Sequence, residues 1–355
     1  MLNASKARCL RLAARPALAL MLVAFPMHSA TAKGANRRPL PIFLSTDVGA
    51  EIDDQWALAH LLTNPRFQVR VIASSHAPAK DVPGITSNTI AATARHIVSE
   101  RLRLVRAPRV VSGSPEALID SKTPRNSEAV TALLRESRGF SSRDRLTVLI
   151  TGAATDVASA LLKDASLEQR IRVVAEAFRS YENGDSYNVR NDPAAWRVIL
   201  NSRVPLIIGH DDVALKPLSL TRDEVKLLTR PLGPVGSWLL RDYDTWYARV
   251  TRNFKNPARP DEPPSWPIWD EVVVAHLLGK TRSEVRPRPT LTDDFKLVSS
   301  SRVGSVIWIT DIQRDAVFTD FKRSISGYAK AQPLVDYPCV TVAIEPNSCW
   351  RKSPS

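Results

Sequence analysis

The chain has 355 residues, 44% of them hydrophobic and 24% charged, with a formal net charge of +13. That is enough apolar content to bury a sizeable core, and too much for a disordered chain. The positive excess is mostly scattered arginine, with no long run of like charges and no basic–aromatic repeat, which argues against nucleic-acid binding and for a solvated basic surface.

Residues 1–32 read as a cleavable secretory signal rather than as part of a fold. Lys6, Arg8, Arg11 and Arg15 form a basic start, Ala17 to Phe25 an apolar run, and Ala30-Thr31-Ala32 a small-residue cleavage site. The apolar run is shorter than the roughly 20 residues a spanning helix needs and breaks at Pro26, and no later segment is apolar enough to insert stably in a membrane. The expected location is therefore secreted or periplasmic. Cys9 leaves with the signal, and Cys339 and Cys349 are expected to form one disulfide closing a C-terminal loop in an oxidising compartment.

The rest, 33–355, is expected to be a single α/β domain. The stretch Pro41 to Leu62 opens with a buried-strand run, Ile42-Phe43-Leu44, and turns at Val48-Gly49-Ala50. It continues as a helix with Trp56, Ala57, Leu58, Leu61 and Leu62 on one face. Asp47, Glu51, Asp53 and Asp54 are thereby gathered where a strand ends and a helix begins, the place where open α/β sheets bind ligands. One Asp there is accounted for as a helix cap. Four crowded carboxylates must splay into water, take up protons or share a cation, because like charges ~4 Å apart repel by about 4 kcal/mol at an effective dielectric near 20. A hard divalent ion, calcium before magnesium, is the economical partner.

Apolar runs at Val69-Ile72, Leu146-Ile150, Ile171-Ala175, Val204-Ile208 and Val303-Ile309 alternate with helical patterns at Thr86-Ser99, Ser127-Glu136, Ala154-Leu162 and Pro193-Asn201. The alternation predicts an open, mostly parallel sheet covered by helices on both faces. Thr151-Gly152 follows one strand, the polar turn Asn183 to Asn188 precedes a helix, and Pro267-Ile268-Trp269-Asp270-Glu271 leads into another. Each is explicable alone as a turn or a cap. The Pro-rich piece Asn256-Pro267 is expected to form a wall or lid over the acidic site.

Taken together, STDVGAEIDDQWALAHLL, LITGAATDVASALL, DSYNVRNDPAAWRVIL and IWDEVVVAHLLG occur in the order and at roughly the separations of the inosine-uridine-preferring nucleoside hydrolases. The resemblance implies an open α/β fold with a calcium ion at the floor of a pocket, holding the diol of a ribosyl group. On it, Asp47, Asp54 and Asp270 and the backbone carbonyl of Thr151 are the metal ligands, and Asp47 is also the base that activates water. Asp53 and Asn188 bind sugar hydroxyls. The chain departs from the family pattern at Ser45, where a first aspartate is lost, and in the five residues Val48 to Ile52 before the Asp53-Asp54 pair. It departs again at Trp269 in place of a His, at Ser186 in place of a Glu, and around Ser75-His76. Hence Trp269 is a candidate for stacking on the substrate, Asp185 a stand-in for the missing Glu, and His76 a candidate proton donor, its alternative being a hydrogen-bonded loop histidine. His210, Asp211 and Asp212, after a strand, rank behind these. The implied activity is hydrolysis of ribonucleoside N-glycosidic bonds. Hydrolysis of another ribosyl or furanosyl bond and calcium-dependent sugar or nucleoside binding without turnover are the alternatives, and self-association is left open.

Overall fold

The computed structural model describes residues 38–78, 82–299 and 304–331. The expected N-terminal signal and the expected Cys339–Cys349 disulfide fall on residues outside the described ones. Strands β1 (Leu40–Thr46), β2 (Phe67–Ser74), β3 (Arg109–Val111), β4 (Leu146–Thr151), β5 (Ile171–Glu176) and β6 (Leu206–Gly209) are followed by β7 (Ser219–Thr221) and β8 (Ser265–Pro267). After them come β9 (Thr281–Pro287), β10 (Pro289–Leu291), β11 (Leu297–Ser299) and β12 (Ser305–Ile312). Eight of these make one sheet in the order β3-β2-β1-β4-β5-β6-β12-β9, parallel throughout except for β9 at the edge; β7–β8 and β10–β11 are small antiparallel pairs.

Helices fill the connections: α1 (Asp53–Thr63), α2 (Ser87–His96), α3 (Glu128–Glu136), α4 (Thr155–Lys163), α5 (Leu167–Arg170), α6 (Tyr187–Asn191) and α7 (Pro193–Asn201). Beyond β6 follow α8 (Asp211–Leu215), α9 (Arg222–Thr229), α10 (Gly233–Arg249), α11 (Glu271–Leu277) and α12 (Arg314–Ala331). The strands explain why both sheet faces are covered. Ile42, Leu44, Ile72, Leu149, Val174 and Ile207 point into one apolar core with α1, α10, α11 and α12. Their alternating neighbours Phe43, Val71, Val148, Ile150, Val173 and Ile208 point into a second with α3, α4 and α7. A strand's period of two, buried on both sides, reads in sequence as a continuous apolar run.

The helix α1 is not the half-exposed amphipathic helix that its pattern suggests. All of it but Leu62 is buried, because α12 lies across its outer side: Trp56 stacks on Phe321 with ring centroids 5.1 Å apart. Trp56→Ala removes this fully buried ring and is expected to lower stability by about 3–5 kcal/mol, measured by denaturant unfolding; a loss within ~1 kcal/mol would mean that α12 does not clamp α1.

The strand order reverses direction between β1 and β4: β2 and β3 lie to one side, β5 and β6 to the other. At such a switch point the loops leaving neighbouring strands diverge to opposite faces and leave a crevice beyond the strand ends. Thr46 and Thr151 are paired across that junction.

Candidate metal and substrate site

The crevice is a cavity of about 260 Å³. Asp47 enters it from the end of β1, Thr151 from the end of β4, Glu176 from the end of β5 and Asp211 from just after β6. Asp53 and Asp54 come from the first turn of α1, and Asp270 from the residue before α11. Glu51, Asn188, Tyr187, Trp246 and Trp269 complete most of the wall.

The turn joining β1 to α1 needs Gly49, whose φ of +102° is strained for any residue with a side chain. Close packing needs Gly152. A Cβ there would stand 2.4 Å from Ser75 Oγ and 3.0 Å from Asp47 Oδ1, so the residue after Thr151 must be small for Asp47 to keep its place.

The capping explanation of the acids fails in the structure. Thr86, Ser127, Asp192 and Thr221 each accept a backbone N–H at the start of their helices. Asp270 occupies the same position before α11 but makes no side-chain cap, and α1 starts after Ile52 with none either. Asp53, Asp54 and Asp270 instead converge, each offering a carboxylate oxygen such that all lie within 4.8 Å of one another. Asp54 is held in this pose by the hydroxyls of Thr46 and Thr151, the latter donating at 3.0 Å.

Among the described residues seven carboxylates line the cavity, and no lysine, arginine or histidine does. Burial is the main force on all seven, and in Asp47, Asp53, Glu176 and Asp270 the neighbouring negative charges add to it. All are raised above the ordinary carboxylate range, Glu51 to about 8 and Asp211 to about 6. Such a set of hard oxygen donors fits a hard cation, which supplies the missing positive charge.

The linked stability has a definite sign. These groups hold protons in the folded state that the unfolded chain releases at lower pH, so stability falls as pH rises from near the ordinary value of 4.5 through about 6 and 8. Metal-free protein is expected to melt at successively lower temperature at pH 5, 7 and 9, and a divalent ion to flatten the trend. A melting temperature unchanged across that range without metal would show that the acids are not buried together.

Asp47, Asp53, Asp54, Thr151, Asn188, Trp269 and Asp270 are all brought to the one cavity. Asp53, assigned by resemblance to the sugar, stands in the carboxylate triad with Asp54 and Asp270, whereas Asp47 lines the cavity beside it. Asn188 is oriented by donating from Nδ2 to Glu176 Oε2 at 2.7 Å.

Two candidates are not brought there. Asp185 is half exposed and paired with Arg190 at 3.1 Å, so its charge is already answered on the surface. His76 is buried, with Nε2 3.1 Å from Thr155 Oγ1, whose hydroxyl donates to Asp192 at 2.6 Å. It is the hydrogen-bonded loop histidine of the alternative reading, and the proton-donor role has no geometric support. The Pro-rich piece is not a lid either: Asn256 bonds Ser219 Oγ at 2.5 Å and Arg259 pairs with Glu224 at 3.5 Å, turning the loop onto β7 and α9. Its end does reach the site from behind, where Trp266 Nε1 donates to Glu51 at 2.6 Å and packs edge-on to Trp269 and Trp246.

Glu176 and Asp211 are the acids that motif reading missed or set aside. Both stand at the ends of apolar strand runs, so the rule that singled out Asp47 also reaches them. Trp246 had no such signal, because it comes from α10, a helix brought to the cavity by distant contacts such as Tyr243 donating to the Leu220 carbonyl and Arg222 pairing with Asp244.

Set against protein-family models, residues 42–319 match "Inosine-uridine preferring nucleoside hydrolase". The chain belongs to that family. Solved structures agree on the fold. A plant nucleoside hydrolase, PpNRh1, is 14% identical, with a TM-score of 0.65 over 81% of this chain and 99% of its own. The purine-preferring ribonucleoside hydrolase from Gardnerella vaginalis is 17% identical, with a TM-score of 0.63 over 82% of this chain and 99% of its own. An inosine-guanosine nucleoside hydrolase is 14% identical, with a TM-score of 0.65 over 81% and 98%. No curated protein matches the chain. As a nucleoside hydrolase the protein is an N-glycosidase, cleaving the bond between ribose and base. The acidic floor accords with the metal dependence of the family, and no helix among the described residues is long and apolar enough to cross a membrane.

Proposed function

We propose that the protein is a calcium-dependent hydrolase of ribonucleosides that works outside the cytoplasm. The observation that carries the reading is the convergence of Asp53, Asp54 and Asp270 at the floor of a cavity lined, among the described residues, by seven acids and no basic side chain. Asp54 and Asp270 would hold the ion, with Asp47 and the carbonyl of Thr151 as the resemblance implies; calcium before magnesium follows from the all-oxygen, many-carboxylate donor set. Bound calcium supplies an anchor for vicinal sugar hydroxyls and a lowered pKa for water.

The chain's own residues do the rest. Asp47 takes the proton of the attacking water at its carboxylate. Asp53 and the Asn188 side chain, oriented by Glu176, fix the ribose hydroxyls. As the bond to the base breaks, positive charge grows on the sugar ring, and the surrounding carboxylates, already fixed around the cavity, stabilise it. The departing base carries off the electron pair of the broken bond and takes its proton from solvent, and Trp269 and Trp246 offer faces on which it stacks. The basic, apolar N-terminal segment and its Ala30-Thr31-Ala32 site support export.

The test is release of reducing sugar from purine and pyrimidine nucleosides, with calcium and with chelator. Chelator-sensitive ribose release is the expected result. Saturable, calcium-dependent nucleoside binding with no release would overturn the catalytic reading in favour of a binding protein.

A further inference from the structure

Behind the acidic floor lies a second cluster of ionisable groups that the hydrolytic reading does not use. His60 is fully buried in α1, its Nδ1 3.0 Å from Glu271 Oε2 and its Nε2 3.3 Å from Asp320 Oδ1. A neutral imidazole carries one N–H, so between two ionised carboxylates the histidine satisfies both only as the imidazolium, donating from each nitrogen. Burial pulls the histidine's pKa down, but the charge of Glu271 and the bonds to both carboxylates outweigh it and raise the pKa to about 9.

The three residues sit on three helices. His60 follows Asp54 by six positions in α1, about 9 Å along the axis at ~1.5 Å per residue. Glu271 is the first residue of α11, immediately after Asp270. Asp320 belongs to α12 and also accepts from Asn64 Nδ2 at 2.8 Å, while Phe321 packs edge-on to His60 at 5.4 Å. Neither α1 nor α11 has a side-chain cap at its start; Thr46 and Thr151 hold the Asp54 carboxylate from the strand side, and His60 to Glu271 ties the two helices together from behind. A buried ion pair is a poor source of net stability, since apolar residues of like volume serve as well. As a directional tie between two helices it has a use that apolar packing lacks.

We propose that His60 is a positioning residue for the metal floor: by bridging Glu271 and Asp320 it fixes α11 against α1 and so sets the separation of Asp270 from Asp53 and Asp54. The proposal rests on the reading of that floor as a metal site. It acts as the outer partners of metal ligands do elsewhere, where their loss weakens metal binding by about 10–100-fold.

The experiment is calorimetric titration of metal-free protein with calcium alone, alongside thermal melts. His60→Gln is expected to weaken binding by about 10-fold or more, and Glu271→Gln, which loosens the same tie from the other end, to do likewise. Asp320→Asn removes an equal charge from the same histidine but leaves the His60–Glu271 tie between α1 and α11 in place, because Asp320 joins His60 to α12, a helix that carries none of the floor's acids, and is expected to stay within about 3-fold of wild type. A merely structural or electrostatic role would move Glu271→Gln and Asp320→Asn alike, and that result overturns the proposal. So does wild-type affinity in a folded His60→Gln, or in Glu271→Gln if the former does not fold. Wild-type protein that binds no calcium would instead overturn the metal reading, and the proposal with it.

Discussion

Asp47→Asn is expected to lower kcat by about 10²–10⁴-fold while the affinity for calcium changes only a few-fold. The size is that of a lost general base. The asymmetry follows from position: Asp47 lines the cavity beside Asp53, Asp54 and Asp270, whose oxygens lie within 4.8 Å of one another without it. An amide fills the same space and keeps an oxygen directed at the cavity, so it preserves a neutral donor but cannot take a proton from water. Steady-state release of ribose under saturating calcium, paired with a calcium titration of the same preparation, separates the two effects. Equal turnover in the variant would remove Asp47 as the base. A parallel collapse of both quantities would make it chiefly a ligand.

The second large effect is at Asp270. Asp270→Ala deletes one member of the carboxylate triad, and an ion held by Asp54, Asp270 and Asp47 would lose one of its charged ligands, so affinity is expected to fall by about 100-fold or more, taking activity with it. The variant is not expected to unfold, because Asp270 makes no side-chain cap to α11 and its buried carboxylate is under strain from Asp53, Asp54 and Glu176. Removing it relieves repulsion in the metal-free protein, so that form should melt at or above the wild-type temperature. Calcium should then raise the melting temperature of wild type but not of the variant. Undiminished binding in Asp270→Ala would place the ion elsewhere in the cavity.

The sheet was legible because its strands are buried on both sides: Leu146-Ile150 and Ile171-Ala175 are runs that only a doubly covered strand uses, and each was found within a residue of its end. Asp47, Asp53-Asp54 and Asp270 were legible because they stand at strand ends and helix starts, positions that the chain alone defines. What depended on distant packing was not. Strand β9, Thr281–Pro287, alternates charged and small residues and shows its exposed, antiparallel edge only when paired to β12. The full burial of α1 required α12, more than 250 positions on, and nothing between Asp53 and Thr63 announces it. His76 and Asp185 carried the right chemistry in the right loops, yet Thr155 and Arg190 claim them. Whether a loop side chain faces a cavity is decided by which partner it finds, and that is a property of the assembled molecule.

The cavity draws on Asp47 to Asp54, Thr151, Glu176 to Asn188, Asp211, Trp246 and Trp269-Asp270, segments spread over more than two hundred positions of one chain. The Asp47 to Asp54 stretch carries four of the acids, but an ion finds the complete donor set on no local piece of the unfolded polypeptide, and its capture belongs after the slow, long-range assembly of the parallel strands. The consequence is kinetic: calcium should leave the refolding rate nearly unchanged and slow the unfolding rate, since it meets its ligands only once the barrier is passed. Stopped-flow refolding and unfolding with and without the ion would read this directly, and acceleration of refolding would mean that part of the floor forms early. On this account the metal guards the finished molecule against opening and takes no part in building it.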